Sequence, residues 1–144
     1  MPDISFGLVQ DEKELHEAFD VRRQVFVREQ GIPESVELDE YDEQALHILV
    51  TIRARAIGTA RVLFPSTNLA KIERMAVLKA FRRRGIGRKI IAFLEAELMN
   101  KGISQEILHA QYVAIPFYES CGFQAVGPPF WEAGIKHIKM QKTL

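Results

Sequence analysis

The sequence predicts a single mixed α/β domain spanning residues 1–144, and three observations carry that reading. Ile72 to Leu78 is short, apolar and partly β-branched, as a buried strand should be. Ile86, Ile90, Ile91, Leu94 and Leu98 then fall on one helical stripe, with Arg88, Lys89, Glu95 and Glu97 off it. Strand-like runs flank this pair on both sides, and no repeat, low-complexity stretch or linker divides the chain.

Taken in order, Ile4 to Val9 reads as a first strand, and Asp11-x-x-Glu14 has the form of a capping box. Leu15, Ala18, Phe19, Val25 and Phe26 follow at helical spacing, interrupted by Arg22, until Gly31 and Pro33 end the helix. Gly31 to Gln44 is polar, acidic and aperiodic, a long loop with room for one helical turn. Ala45–Ile52 and Ile57–Phe64 are strands joined by an Arg53–Ala56 turn, and Pro65–Asn68 turns the chain into the central strand. After the central helix, Gly102 serves as its C′ residue and Ile107–Ala110 is a short strand. A short helix over Ala114–Phe123 has Pro116 near its start and Gly122 past its end. Phe123–Val126 and Lys136–Met140 close the sheet, separated by a rigid Gly127–Trp131 loop.

The composition bounds the function. Apolar content of 47% and charged content of 26% suit a soluble globular protein, and no apolar run approaches membrane-spanning length. The Met1-Pro2-Asp3 start is acidic, unlike a secretory signal, and a lone cysteine fits a reducing, cytoplasmic setting. Cys121 itself reads as structural, with no evident base beside it. The zero net charge conceals an asymmetry, −9 over residues 1–50 and +9 over residues 51–144. That pattern suits a C-terminal half that grips a polyanion and an N-terminal half that tolerates a cation.

Between strand and helix lies Arg82-Arg83-Arg84-Gly85-Ile86-Gly87. A helix start offers unpaired N–H groups and the positive end of its dipole, so this turn is suited to phosphate. It is neither a Walker A loop nor a dinucleotide G-x-G-x-x-G. Arg82-x-x-Gly85-x-Gly87, after a strand ending Met75-Ala76-Val77, resembles the (Q/R)-x-x-G-x-(G/A) pyrophosphate loop of the GNAT N-acetyltransferase superfamily. Ala114-x-x-Phe117-Tyr118-Glu119-x-x-Gly122-Phe123 resembles the second signature of that superfamily, with Gln111 where the pattern often has Asn. Arg23-x-Val25-Phe26-Val27-x-Glu29-Gln30, Glu37-Leu38-Asp39, His47 and Ala133-Gly134-Ile135-x-His137 extend the resemblance to its ElaA/YjcF-like branch.

The resemblance implies a mixed, mostly antiparallel sheet of about seven strands with helices on both faces and a splayed acyl-CoA cleft. It implies acetyl-CoA as co-substrate, no metal, and an amine acceptor that is a small molecule or a protein amine. The pantetheine arm would pair along Met75, Ala76 and Val77 as an added strand. The pyrophosphate would sit on the N–H groups from Arg83 through Gly85, Ile86 and Gly87 to Arg88. Arg82, Arg83 or Arg84 would add charge-assisted bonds or simply stay solvated. Gln111 and Phe117 complete the implied cofactor contacts. Tyr118 would protonate the leaving thiolate, or else its ring packs beneath the cofactor.

The proton acceptor stays open. Glu73 is a catalytic base through water, sharing a face with Met75 by strand alternation, or it pairs with Arg55 or Arg61. His47, His109 and His137 are further candidates, each more simply a satisfied strand histidine. Glu29, Glu37, Asp39, His47 and His109 are the acceptor-side residues, and the Glu37–Asp39 loop otherwise reads as solvated. A non-catalytic acyl-CoA-binding or regulatory module on the same fold is the alternative. Nucleic acid and membrane partners are not expected, and a monomer or homodimer is.

Overall fold

The computed structural model describes residues 3–144; Met1 and Pro2, which open the stretch read above as unlike a secretory signal, lie outside the described residues. One seven-stranded sheet forms the frame. β1 (Ile4–Leu8), β2 (Leu46–Ile52), β3 (Arg55–Ser66) and β4 (Leu69–Val77) follow one another as antiparallel neighbours. β5 (Gln105–Gln111) lies parallel to β4, and β7 (Ile135–Thr143) inserts antiparallel between β5 and β6 (Gln124–Glu132). The expected mixed, mostly antiparallel sheet is therefore present.

Helices cover both faces. α1 (Glu12–Arg22) meets the sheet where Phe19 touches His47 edge-on. α3 (Ile86–Asn100) lies opposite, where Phe93 stacks on Phe6, whose register partner Val50 alternates away from His47. The predicted stripe of α3 is its buried face: Ile86, Ile90, Ile91, Leu94 and Leu98 are all at most 3% exposed. Short helices α2 (Glu34–Glu37) and α4 (Ile115–Ser120) border the cleft described below.

Three elements depart from the sequence reading, each for a physical reason. Arg22 does not interrupt the first helix: the chain continues into a π-helical turn, Arg23–Glu29, with Arg22 fully buried. The acidic loop is not simply solvated either, because Glu37 and Asp42 are buried against Arg22. Gly127–Trp131 is not a loop but part of β6, with a register break between Val126 and Phe130. β6 is the outer strand, so Pro128 and Pro129 remove no ladder bond that an inner strand would need. Half of the expected capping box is present: Glu14 N–H donates to Asp11 Oδ1 at 2.8 Å, but the Glu14 carboxylate accepts from Gln10 N–H at 2.9 Å, one residue before the cap, and not from Asp11 N–H.

One buried group sets a pH dependence. Glu106 of β5 is fully buried and neither carboxyl oxygen has a hydrogen-bond partner among the described residues. Burial, with Glu95 beside it, pushes the Glu106 carboxyl up to about 9, against the opposing pull of Lys142. A carboxyl raised in the folded state stabilises fully below its unfolded value of about 4.5, and that contribution is lost as pH rises through about 9. Glu106→Gln is therefore expected to gain several degrees in melting temperature over the unaltered protein between about pH 5 and pH 9. A difference that stays constant across that range contradicts a neutral Glu106.

Candidate active site

β4 and β5 pair only from Leu69 opposite Gln105 to Ile72 opposite Leu108, and beyond that they part. The β5-facing edge of β4 from Glu73 to Val77 thus has no strand partner, while its other edge stays bonded to β3. The parting opens a cleft of about 1400 Å³ bordered by β4, β5, the loop before α3, α4 and the β6–β7 hairpin.

Within β4 the register steps from Ala76 opposite Thr59 to Glu73 opposite Arg61, so one extra residue bulges out, and Arg74 takes φ +53°. Such a bulge re-aims the backbone groups that follow it. It also interrupts the alternation that linked Glu73 to Met75, although both border the cleft. A non-glycine residue held in this conformation costs on the order of 1 kcal/mol, so its surroundings must hold it there. Arg74 Nε donates to the Glu37 carbonyl at 3.2 Å, and its guanidinium lies 3.2 Å from both the Glu37 and the Asp39 carboxylates.

Arg74 belongs to a larger buried charge cluster. Arg61, 1% exposed, donates to the carboxylates of Asp39, Asp42 and Glu73. Glu73 also holds Lys71 at 3.1 Å, so both its oxygens are engaged. Burial alone would raise the Glu73 carboxyl, yet Arg61 and Lys71 hold it below its ordinary value. This favours the pairing weighed for Glu73 over a basic role. Burial lifts Glu37 above its ordinary value despite Arg74 and Arg22, whereas Asp42, also buried, is held low by Arg22.

The loop before α3 is shaped for close approach. Gly85 caps the helix at φ +76°, a conformation glycine takes without a Cβ penalty, and Arg83 is likewise left-handed at φ +64°. α3 has no side-chain cap, and its first backbone bond is Lys89 N–H to Gly85 C=O. The N–H groups of Ile86, Gly87 and Arg88 are therefore left as donors. At Gly87 a Cβ would meet Phe117 at 3.1 Å, so the backbone here lies against the α4 ring. The Ile86 side chain, by contrast, is in the core.

The arginines divide. Arg82 is not an open phosphate ligand: it donates to the Val77 carbonyl at 2.8 Å and clasps Glu29 at 2.6 and 2.8 Å. Glu29 is correspondingly an anchor for this loop and does not border the cleft. Arg84 lies over the Phe81 ring and does not border the cleft either. Arg88 donates to Ser120, and Arg83 borders the cleft with no ion pair among the described residues.

Tyr118 borders the same cleft, with its ring packed edge-on against Phe117 and Phe123. Its hydroxyl makes no hydrogen bond among the described residues, and burial pushes the phenol up, so it stays protonated. Gln111, also lining the cleft, donates to Gln30 at 2.9 Å. His47 is buried away from the cleft, its Nε2–H donating to the Asp42 carbonyl at 2.8 Å; burial lowers its pKa and keeps it neutral.

At the fork of β4 and β5 stands a group that sequence reasoning only half found. His109 contacts Glu132 through Nδ1 at 2.8 Å, with His137 Nε2 at 3.9 Å from the other carboxylate oxygen. Bonded to His109, Glu132 is held below its ordinary value, so it is ionised. Glu132 had no periodic or motif signal; only the β6–β7 hairpin folding back toward β5 places it. Among the described residues no group of three or more His, Cys, Asp or Glu is positioned to hold a metal ion. No helix there is long and apolar enough to cross a membrane.

The family profile described as Acetyltransferase (GNAT) domain matches residues 10–144. The Bacillus subtilis protein named Uncharacterized N-acetyltransferase YjcF is 37% identical over 136 residues, covering 94% of this chain and 96% of its own. Escherichia coli ElaA has a crystal structure similar at a TM-score of 0.86 and 25% identity, over 97% of this chain and 99% of that one. An acyl-CoA N-acyltransferase from Pseudomonas aeruginosa is similar at a TM-score of 0.85 and 26% identity, over 97% of this chain and 99% of that one.

Proposed function

This chain belongs to the GNAT acetyltransferase family, and from that premise we propose that it moves an acetyl group from acetyl-CoA to an amine. The observation that carries the reading is the fork of β4 and β5 opening beside an uncapped helix start. The unpartnered edge of Met75, Ala76 and Val77 offers main-chain groups to an extended amide-bearing arm. Three bare N–H groups, the α3 dipole and Arg83 favour a pyrophosphate at the other end. Gly87 fits this because only its missing side chain leaves room against Phe117.

Acetyl-CoA supplies an activated thioester; the chain supplies position and charge. The N–H of Ala76 or Val77, just past the Arg74 bulge, is the donor for the thioester oxygen as negative charge grows on it. Tyr118 then hands its phenolic proton to the departing thiolate. A donor held in place by the partly buried salt bridges of Arg74 needs little reorganisation during reaction, which is what such stabilisation requires.

Calorimetry with acetyl-CoA, followed by thiol release on a panel of amines, tests this reading. Micromolar binding and amine-dependent thiol release are expected. Gly87→Val should weaken acetyl-CoA binding at least tenfold, because its side chain must displace Phe117 or the ligand. Binding that survives unchanged would remove the loop from the site. Binding without turnover on any amine would instead favour a CoA-binding regulatory module.

A further inference from the structure

We propose that His109 is the base that accepts the acceptor amine's proton, with Glu132 as the residue that positions its ring; this rests on the acetyl-transfer reading above. Ile72 and Leu108, the last paired residues of the fork, are both buried. One residue further on, Glu73 and His109 turn to the opposite face, and both border the cleft, as Ile72 and Leu108 do where the strands begin to part. A group at this point stands beside the bulge whose N–H groups would hold the thioester oxygen. The His109 side chain is 26% exposed, so it is reachable by solvent and substrate.

The hydrogen bonding selects the tautomer. An ionised carboxylate only accepts, so the 2.8 Å contact with Glu132 places the neutral-ring proton on Nδ1. The Nε2 lone pair is left bare, with no hydrogen bond among the described residues. Phe130 meets the ring edge-on at 4.8 Å and limits its rotation. His137 donates its own Nδ1–H to the Ile135 carbonyl at 2.7 Å. Glu73, the rival acceptor, is tied by Arg61 and Lys71.

The charged and titratable groups around the ring come from each neighbouring strand. Lys71 and Glu73 face it from β4, and Glu132 from β6. His137 and Lys139 lie on β7, with Lys139 opposite His109 in the register.

The step balances. An ammonium substrate loses one proton to His109 Nε2 and becomes a neutral amine. Its lone pair forms the C–N bond to the thioester carbon, and the C–S bond breaks with its electron pair on sulfur. Sulfur takes the Tyr118 proton, and the proton shed by the new amide nitrogen returns to the phenolate through solvent. The imidazolium then releases its proton, so one proton leaves per turnover.

The test combines kinetics with nitrogen NMR on the full chain. His109→Gln should cut kcat/KM about 100-fold or more on any amine that turns over, and should abolish the acidic limb of its pH profile. Acetyl-CoA affinity and melting temperature should not move. Glu132→Gln should shift that limb without erasing it. Independently of any acceptor, histidine nitrogen shifts should report the Nδ1–H tautomer for His109. An Nε2–H tautomer, or a His109→Gln variant that keeps its acidic limb, overturns the proposal alone. Absence of acetyl-CoA binding by the unaltered protein overturns the acetyl-transfer reading beneath it.

Discussion

Tyr118→Phe is expected to lower kcat about 100-fold while leaving acetyl-CoA affinity and folding stability unchanged. The expected separation follows from the surroundings of the side chain. Phe117 and Phe123 pack the ring at centroid distances of 5.1 and 5.8 Å, and phenylalanine keeps both contacts. The hydroxyl has no partner among the described residues, so its removal orphans no buried group. What it removes is the proton donor proposed above for the thiolate. Single-turnover kinetics beside calorimetry checks the split, and a variant with full turnover and unchanged binding would return Tyr118 to a packing role. A smaller loss accompanied by weaker acetyl-CoA binding would place the phenol in ligand contact instead of proton transfer.

The largest expected loss of stability comes from Arg22. Its guanidinium donates to Glu37 Oε2 at 2.8 Å, Asp42 Oδ1 at 2.7 Å and the Glu37 carbonyl at 2.7 Å, with no exposure to water. Arg22→Met keeps much of the volume but leaves two buried carboxylates short of a cation. Breaking a buried pair from one side costs about 3–5 kcal/mol. Denaturant unfolding should show a loss of that size. Because Glu37 and Asp39 also hold Arg74, the variant should in addition weaken the β4 bulge and lower turnover in the protein that remains folded. A loss under about 1 kcal/mol would mean that water or Arg61 and Arg74 satisfy these carboxylates without Arg22. Neutralising Glu37 and Asp39 together is expected to lose stability and activity in parallel, not substrate affinity alone.

Much of the fold was legible because its signals are local. The α3 stripe is a 3.6-residue period, and a period survives any tertiary arrangement that buries one face. The glycine-containing turn after β4 and the Phe117–Tyr118 helix are short contiguous patterns, and both border the cleft as the resemblance implied. Strand ends were less legible. β6 runs through Pro128 and Pro129 because it is an outer strand, and strand order is not a local property.

The charged residues show the limit most clearly. Arg22 looked like an interruption of an apolar stripe, and Glu37 and Asp42 looked like members of a solvated loop. Each is buried because partners 15 to 20 positions away meet it in space. Arg82 had the spacing of a phosphate ligand, but Glu29, 53 positions earlier, occupies it. Glu132 had no signal at all and reaches His109 only through the β6–β7 hairpin.

The sequence by itself determined the class of fold, the central helix, and the glycine-containing turn and short Phe117–Tyr118 helix that carry the family motifs. Those features rest on periodicity, glycine geometry and contiguous motifs, all of which act over a few residues. Only the tertiary structure decided which charges are structural and which are available for chemistry. A charge acquires its role from its partners, and those come from strand pairing and helix packing between distant segments.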